Sequence, residues 1–183
     1  MKKSTANELA KECIYTALLQ LMEQNAYSDI TVTDIAKRAG VSRMTYYRNY
    51  RSKDDIFIQH IDGLFCSFET HIVPGCIEWN GLWSLFFQYF HQNQLITAVI
   101  KAELTESVFQ CFSRHIHHIC QDLLLWDMAD YHNVLLVNYQ IGALLGLLRH
   151  LHLSAGGHTV SDEQAAEFQT EASSLLQQLA HLN

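Results

Sequence analysis

The hydrophobic positions at the start of the chain follow the period of an α-helix. Between Ser4 and about Asn25, apolar side chains recur every three or four residues, and charged side chains lie on the opposite side. This spacing predicts a first helix with one buried face. The same period runs from Ile56 to Phe68 and predicts the beginning of a long helix.

Capping signals divide the region between these two helices. Thr31 is followed three positions later by Asp34, the pattern of a residue that caps a helix N-terminus. Gly40 can adopt the left-handed conformation that ends a helix, and Ser42 can cap the next one almost immediately. Ser52 then caps the long helix. Two short helices joined by a tight turn that contains Gly form a helix-turn-helix.

Further apolar segments with helical spacing follow the only proline. None shows the Val/Thr-rich alternation that is typical of strands, so we predict an all-α fold. We place the domain boundary inside the fourth helix, which covers residues 52–72 and connects residues 1–53 to residues 54–183. The apolar segments cover residues 82–90, 95–104, 108–125, 134–153 and 161–182.

The segment 134–153 is apolar nearly all round. Polar residues such as Asn138 and Arg149 interrupt it too often for a membrane span, so we predict a helix buried on two sides. One side can face its own core and the other a second copy of the chain, in a four-helix bundle that residues 161–182 complete. The predicted dimer contacts are Leu144, Leu148, Phe168, Leu175 and Leu179.

Composition favours an ordinary globular protein. The chain has 183 residues, of which 49% are hydrophobic, with one proline and eight glycines. No long apolar run follows the N-terminal lysines, so we expect no signal peptide and a cytoplasmic location. The five cysteines are odd in number, scattered and never spaced as C-x-x-C, which indicates reduced thiols rather than disulfides or a zinc finger.

Charge is distributed unevenly along the chain. Residues 1–53 contain nine Lys/Arg and five Asp/Glu, a net charge of +4, whereas residues 54–183 contain three and fourteen, a net charge of −11. This asymmetry is typical of a protein that brings one end to a polyanion.

The third helix carries the predicted DNA contacts. If Tyr46 and Tyr50 hold it against the core, helical geometry turns its other residues outward. In the major groove, Arg43 can bond guanine, and Met44 or the Thr45 methyl can contact thymine. Phosphate contacts are predicted for Lys37, Arg38, Tyr47, Arg48, Arg51 and Lys53.

The ordered motif in residues 31–36, 39–42, 45–47 and 52–55 resembles the N-terminal DNA-binding signature of the TetR/AcrR transcriptional regulators. The resemblance covers roughly residues 10–60. A weaker likeness, at Gly142, Gly146, Leu148, Gly156 and Glu163, is similar to a C-terminal ligand and dimerisation domain of many of these regulators.

This resemblance implies a helix-turn-helix DNA-binding domain in residues 1–53 and a ligand-binding and dimerisation domain in residues 54–183. It also implies a homodimeric repressor that a small-molecule effector releases from a palindromic double-stranded operator. A ligand-dependent activator and a metal-responsive regulator are the alternatives. The family's DNA contacts would fall on Thr33, Arg43, Met44, Thr45, Tyr47, Asn49 and Lys53.

Aromatic residues are abundant after the DNA-binding segment, and core packing accounts for many of them. A mostly apolar effector pocket accounts for the rest, because sites for drug-sized ligands are lined in this way. In the family, such pockets lie in the C-terminal domain. The predicted pocket residues are Phe65, Trp83, Phe86, Phe90, Phe109 and Tyr139.

Histidines are also numerous, and the densest group consists of His115, His117, His118 and Cys120, together with His150 and His152. On a helix, His115 and His118 share a face that His117 does not, so we predict no tight local metal site. No phosphate-binding Gly-rich loop, nucleophile elbow or H-E-x-x-H motif occurs. The sequence therefore predicts no catalytic residue and no cofactor.

Overall fold

The structure is a computed structural model that describes residues 2–73, 81, 82, 85, 86, 89, 94–154, 170 and 174. No strand occurs among these residues, and the predicted all-α fold is confirmed. A 3₁₀ turn (Tyr27–Asp29) and a π-helical turn (Ile119–Leu123) accompany the helices. The helices are α1 (Lys2–Met22), α2 (Val32–Arg38), α3 (Arg43–Asn49), α4 (Lys53–Glu69), α5 (Gln94–Lys101), α6 (Thr105–His118) and α7 (Tyr131–Ser154).

Each predicted cap is present. Thr31 Oγ1 accepts from the Asp34 amide at 3.2 Å, and Asp34 Oδ2 accepts from the Thr31 amide at 3.0 Å, which completes a capping box at α2. Ser42 caps α3 and Ser52 caps α4 through the same type of bond. Such caps each contribute about 1 kcal/mol. Gly40 has φ +67° and ends α2 in the left-handed conformation.

The first three helices form the core of an N-terminal unit. α1 packs against α2 and α3, and α2 packs against α3. Ile14 and Leu18 of α1 are fully buried, as are Ile35 of α2 and Tyr46 of α3. α3 is only seven residues long, so it depends on this packing for its stability. The buried contacts also hold α3 at one angle relative to α1 and α2.

Helix α4 continues from this unit into the rest of the protein. It packs against α5 and α6, and α6 packs against α7. Phe65 contacts Phe112 of α6 in an edge-to-face arrangement with 5.0 Å between ring centroids. Phe86 lies 5.9 Å from Phe65 and 5.7 Å from Phe112, so the three rings form one aromatic cluster. Each such pair contributes about 0.5–1.5 kcal/mol beyond the burial of its surface.

Two predicted helix ends are corrected by the structure. The first helix ends at Met22 rather than near Asn25, and its end is tightened by a bond from the amide of Gln24 to the carbonyl of Leu21, three residues back, at 3.2 Å. The segment 108–125 is not one helix. α6 changes to a π-helical turn at Ile119, and Leu125 has φ 57°, which an α-helix cannot contain.

Among the described residues, no helix is both long enough and apolar enough to cross a membrane. The predicted final helix, residues 161–182, lies almost entirely outside the described part of the chain. The predicted domain boundary inside α4 stays a prediction.

Candidate nucleic-acid interface

Two tyrosines anchor α3. Tyr46 is completely buried and Tyr50 is 1% exposed, and their rings lie 6.0 Å apart. Burial raises the pKa of Tyr46 to about 12 and also raises that of Tyr50, so both phenols are neutral. Neither hydroxyl has a hydrogen-bond partner within the part of the chain described. The two residues therefore act as apolar anchors.

The opposite face of α3 is open to solvent. Met44 is 78% exposed and Tyr47 is 52% exposed, and Arg43 and Arg48 are also exposed. The Arg43 guanidinium lies 5.9 Å from the centroid of the Tyr47 ring, so the two side chains occupy one patch. This recognition face, defined as Arg43, Met44, Tyr47 and Arg48, combines cations, a phenol and an apolar tip.

Thr45 and Asn49 lie beside this face and are only half-exposed. Thr45 Oγ1 is 2.9 Å from Ser42 Oγ, so its hydroxyl takes part in the N-cap of α3. Asn49 Nδ2 donates to the Thr45 carbonyl at 2.8 Å, and Gln59 of α4 donates to the Asn49 carbonyl at 3.0 Å. Both residues thus have local structural partners, and their DNA contacts remain predictions.

The other predicted contacts surround the recognition face. Thr33, in the first turn of α2, is exposed, and so are Lys37, Arg38 and Arg51. Arg38 Nε donates to the side chain of Gln20 of α1 at 2.8 Å. These groups leave cationic and hydroxyl donors at both ends of the helix-turn-helix, where phosphate contacts fix the register of a protein on DNA.

Lys53 differs from the other cations because its ammonium is bonded to the 3₁₀ turn. Lys53 Nζ donates to the Tyr27 carbonyl at 2.7 Å and lies 4.5 Å from the centroid of the Tyr27 ring. The Tyr27 hydroxyl donates to Asp54 Oδ1 at 2.5 Å. Burial, with this hydrogen bond and the Asp54 charge, raises the pKa of Tyr27. The sequence contains no local signal for this contact, since Lys53 and Tyr27 are far apart along the chain.

The arrangement has the chemistry of a major-groove reader. An exposed arginine can bond guanine, an apolar tip can contact the thymine methyl, and flanking cations can hold the backbone phosphates. The family of bacterial regulatory proteins called tetR matches this segment, over residues 14–59. This match supports assignment of the helix-turn-helix segment to the tetR family. Proteins of this family are transcriptional regulators rather than enzymes.

The chain also resembles curated transcriptional regulators. The chain is 27% identical over 97 residues to the HTH-type transcriptional regulator EthR of Mycobacterium tuberculosis strain H37Rv, and equally to that of Mycobacterium bovis. The match covers 48% of this chain and 45% of EthR. The matched region therefore spans about half the length of these relatives.

Solved structures share the fold along most of the chain. The dihydroxyacetone kinase operon activator DhaS is 16% identical with a TM-score of 0.56, and the match covers 92% of this chain and 96% of DhaS. The fatty acid degradation regulator FadR of Bacillus halodurans is 14% identical with a TM-score of 0.58, over 91% of this chain and 94% of FadR. At these identities the likeness concerns the fold alone.

The structure brings some of the predicted effector-pocket residues together. Phe65 and Phe86 pack in the aromatic cluster, and Phe109 is half-buried against the same core. Tyr139 is 58% exposed on α7. Trp83 and Phe90 lie outside the described residues. A groove of about 420 Å³ lies between α1 and α4, and none of the four predicted residues that the structure describes lines it.

The predicted dimer contacts fall largely outside the described structure. Leu144 and Leu148 belong to α7, but their side chains are not described, and Phe168, Leu175 and Leu179 lie beyond the described helices. α7 does present an exposed stripe at the spacing of successive turns. This α7 stripe consists of Leu135, Tyr139, Gly142 and Gly146.

Proposed function

We propose that this chain is a transcriptional regulator that binds operator DNA as a homodimer through the recognition face of α3. The observation that carries the proposal is the contrast between the two sides of α3. Tyr46 is 0% exposed, whereas Met44, two residues earlier, is 78% exposed. The exposed side groups an apolar tip with two arginines and a phenol, the mixture of side chains that can contact thymine methyls, guanine and phosphates in a major groove.

Homodimerisation is supported by the α7 stripe. Leu135 is 47% exposed and Tyr139 is 58% exposed. Gly142 and Gly146 continue the stripe and, having no side chain, leave room for a second helix to approach. Pairing two copies of α7 would cover these side chains. It would also fix the distance between the two recognition helices, which an operator with half-sites about 34 Å apart requires.

We further propose that the protein represses transcription and that a small apolar effector releases it from DNA. Helix α4 supports such coupling because its two ends lie in different surroundings. At its start, Lys53 is bonded to the Tyr27 turn beside the recognition unit, and towards its end Phe65 packs in the aromatic cluster. A ligand that entered this cluster would shift α4 and change the separation of the recognition helices. The expected coupling is about 1–3 kcal/mol.

Activation is the second candidate. The structural relative DhaS is named as an operon activator, so the fold accommodates that outcome. Transcription in vitro from a promoter that carries the selected operator distinguishes the two. A decrease on addition of the protein supports repression, and an increase supports activation.

DNA binding is tested first with duplexes selected from a random library. We expect selection of a palindromic site, and an affinity that falls steeply with salt. Arg48→Ala should weaken binding, whereas Lys101→Ala removes one positive charge from an exposed position at the end of α5 and should leave it unchanged. Failure to enrich any sequence, or equal losses in both variants, would contradict the proposed interface.

A further inference from the structure

Three different ligand-type side chains meet where α4 packs against α6. Asp62 of α4 accepts from His115 Nε2 at 2.9 Å and from Cys111 Sγ at 3.3 Å through the same oxygen, Oδ1. The carboxylate oxygen, the thiol sulfur and the imidazole nitrogen all lie within 4.8 Å of one another. Among the described residues, no other three His, Cys, Asp or Glu side chains approach in this way.

These distances suit a small divalent metal. Zinc bonds of about 2.0–2.3 Å at tetrahedral angles place ligand atoms about 3.3–3.8 Å apart. The two contacts to Asp62 Oδ1, of 2.9 and 3.3 Å, need a small opening to reach that spacing, and the sulfur and imidazole nitrogen lie within 4.8 Å of each other. A thiolate, an imidazole and a carboxylate together form a borderline donor set, which selects zinc over magnesium or calcium.

The imidazole of His115 is already oriented for such a role. Its ring stacks on Phe65 with 4.5 Å between centroids and an interplanar angle of 1°. Its second nitrogen, Nδ1, lies 3.5 Å from Glu69 Oε1. A carboxylate at the far nitrogen is the common support of a zinc-bound histidine, because it sets the tautomer and raises the basicity of the ligand. Asp62 and Glu69 thus approach opposite nitrogens of one ring.

The positive charge next to the Asp62 carboxylate comes from Arg114. Its Nη2 donates to Asp62 Oδ1 at 2.6 Å and lies 3.6 Å from Cys111 Sγ. The Arg114 side chain is 62% exposed, so it can move into solvent when a metal binds Asp62. Burial, with the charge and hydrogen bond of Asp62, raises the pKa of the Cys111 thiol to about 12. Metal binding would therefore form a sulfur–metal bond and release the thiol proton to solvent. It would also require the imidazole proton of His115 to sit on Nδ1, beside Glu69, so that Nε2 has a lone pair for the ion.

We infer that Asp62, Cys111 and His115 form a zinc site with an open fourth position at the contact between α4 and α6. The ligands come from both helices, so a bound ion would fasten the middle of α4 to α6. Zinc would then change the affinity for the operator through α4, and this step alone rests on the proposed function. Metal binding itself is independent of that step.

Cobalt(II) titration of the reduced, metal-stripped full-length protein tests the site. We expect one ion per chain, a thiolate-to-cobalt charge-transfer absorption, and its loss on addition of zinc. Cys111→Ser should abolish this absorption, and Asp62→Asn should weaken zinc binding at least tenfold. Cys120→Ser is the matched control, since Cys120 is also a buried thiol whose pKa burial raises to about 12.

Arg114→Gln separates a metal site from a purely structural ion pair. If Arg114 competes with the ion for Asp62, this variant should bind zinc more tightly than the unsubstituted chain. If circular dichroism shows that the Cys111→Ser protein is unfolded, Asp62→Asn and Arg114→Gln test the zinc site instead. These two substitutions alter a half-exposed and an exposed side chain, so the fold should tolerate them.

Lack of one-to-one cobalt binding by the unsubstituted chain would overturn the inference, and so would equal affinity in the Asp62→Asn variant. Operator binding with and without zinc is measured separately. Loss of the cobalt signal alone contradicts the zinc site, whereas a chain that binds cobalt but selects no DNA contradicts the proposed function.

Discussion

Lys53 at the start of α4 donates a hydrogen bond from Nζ to the carbonyl of Tyr27, 2.7 Å away and 26 residues earlier in the chain. The same ammonium lies 4.5 Å from the centroid of the Tyr27 ring. Lys53 therefore joins the long helix to the turn that follows α1. Any contact it makes with DNA comes in addition to this structural bond.

Lys53→Ala should lower the free energy of unfolding by about 1–2 kcal/mol, because it removes a charged hydrogen bond and a cation–π contact. Lys37→Ala is the control, since Lys37 is exposed at the end of α2. Urea denaturation of both variants checks the difference. Equal stability of the two would mean that the Lys53 bond contributes nothing in solution.

Arg43→Ala should relax sequence preference at the operator, with a cost of about 1–3 kcal/mol for the preferred site. Lys53→Ala should weaken binding to all sequences alike and lower the salt slope by about one, as loss of one phosphate contact does. Fluorescence anisotropy on the selected operator and on a scrambled duplex measures both effects. The reverse pattern would show that α3 enters the groove in another orientation.

Tyr46→Phe should change the free energy of unfolding by less than about 0.5 kcal/mol, because its buried hydroxyl has no partner to lose within the described structure. Tyr46→Ala should cost about 3–5 kcal/mol through the cavity it leaves beside Tyr50. Thermal and urea unfolding distinguish these outcomes. A large loss in the Phe variant would reveal a hydrogen bond to the hydroxyl.

The capping box at α2 should make stability depend on pH. Hydrogen bonds from the side chain and the backbone of Thr31 lower the pKa of Asp34. Since the folded pKa lies below the unfolded one, the carboxylate contributes stability above its ordinary pKa, and this contribution is lost as the pH falls through the lowered value. The stability difference between the unsubstituted chain and Asp34→Asn should therefore shrink on acidification. A difference that stays constant from neutral to strongly acidic pH would contradict this origin.

Tyr139→Asp should convert the proposed homodimer to monomers and abolish operator binding at working concentrations, because it places a charge in the α7 stripe. Leu9→Asp, at a 65% exposed position of α1, is the control for adding a charge to an exposed apolar residue. Light scattering gives the mass of each variant. An unchanged dimer mass for Tyr139→Asp would exclude this stripe as the interface.

The sequence by itself determined the features of this protein that depend on neighbours three or four residues apart. The caps at Thr31, Ser42 and Ser52 and the left-handed Gly40 are local, so their bonds could be predicted from spacing alone. The buried side of α3 followed from the same periodicity. The helix ends near Met22 and Ile119 could not be predicted from this periodicity. Tertiary packing can end a helix, or change it to a π-helical turn, where the apolar period continues.

Only the tertiary structure decided which distant side chains meet. His115 reaches Asp62 across 53 residues, and no motif in the chain links the two. Cys111 lies four residues before His115 on the same helix face, a local relationship that spacing could have shown, whereas only the fold brings two carboxylates of α4 to His115. The physical reason is that a helix fixes contacts along one face, while the packing of α4 on α6 determines what that face touches.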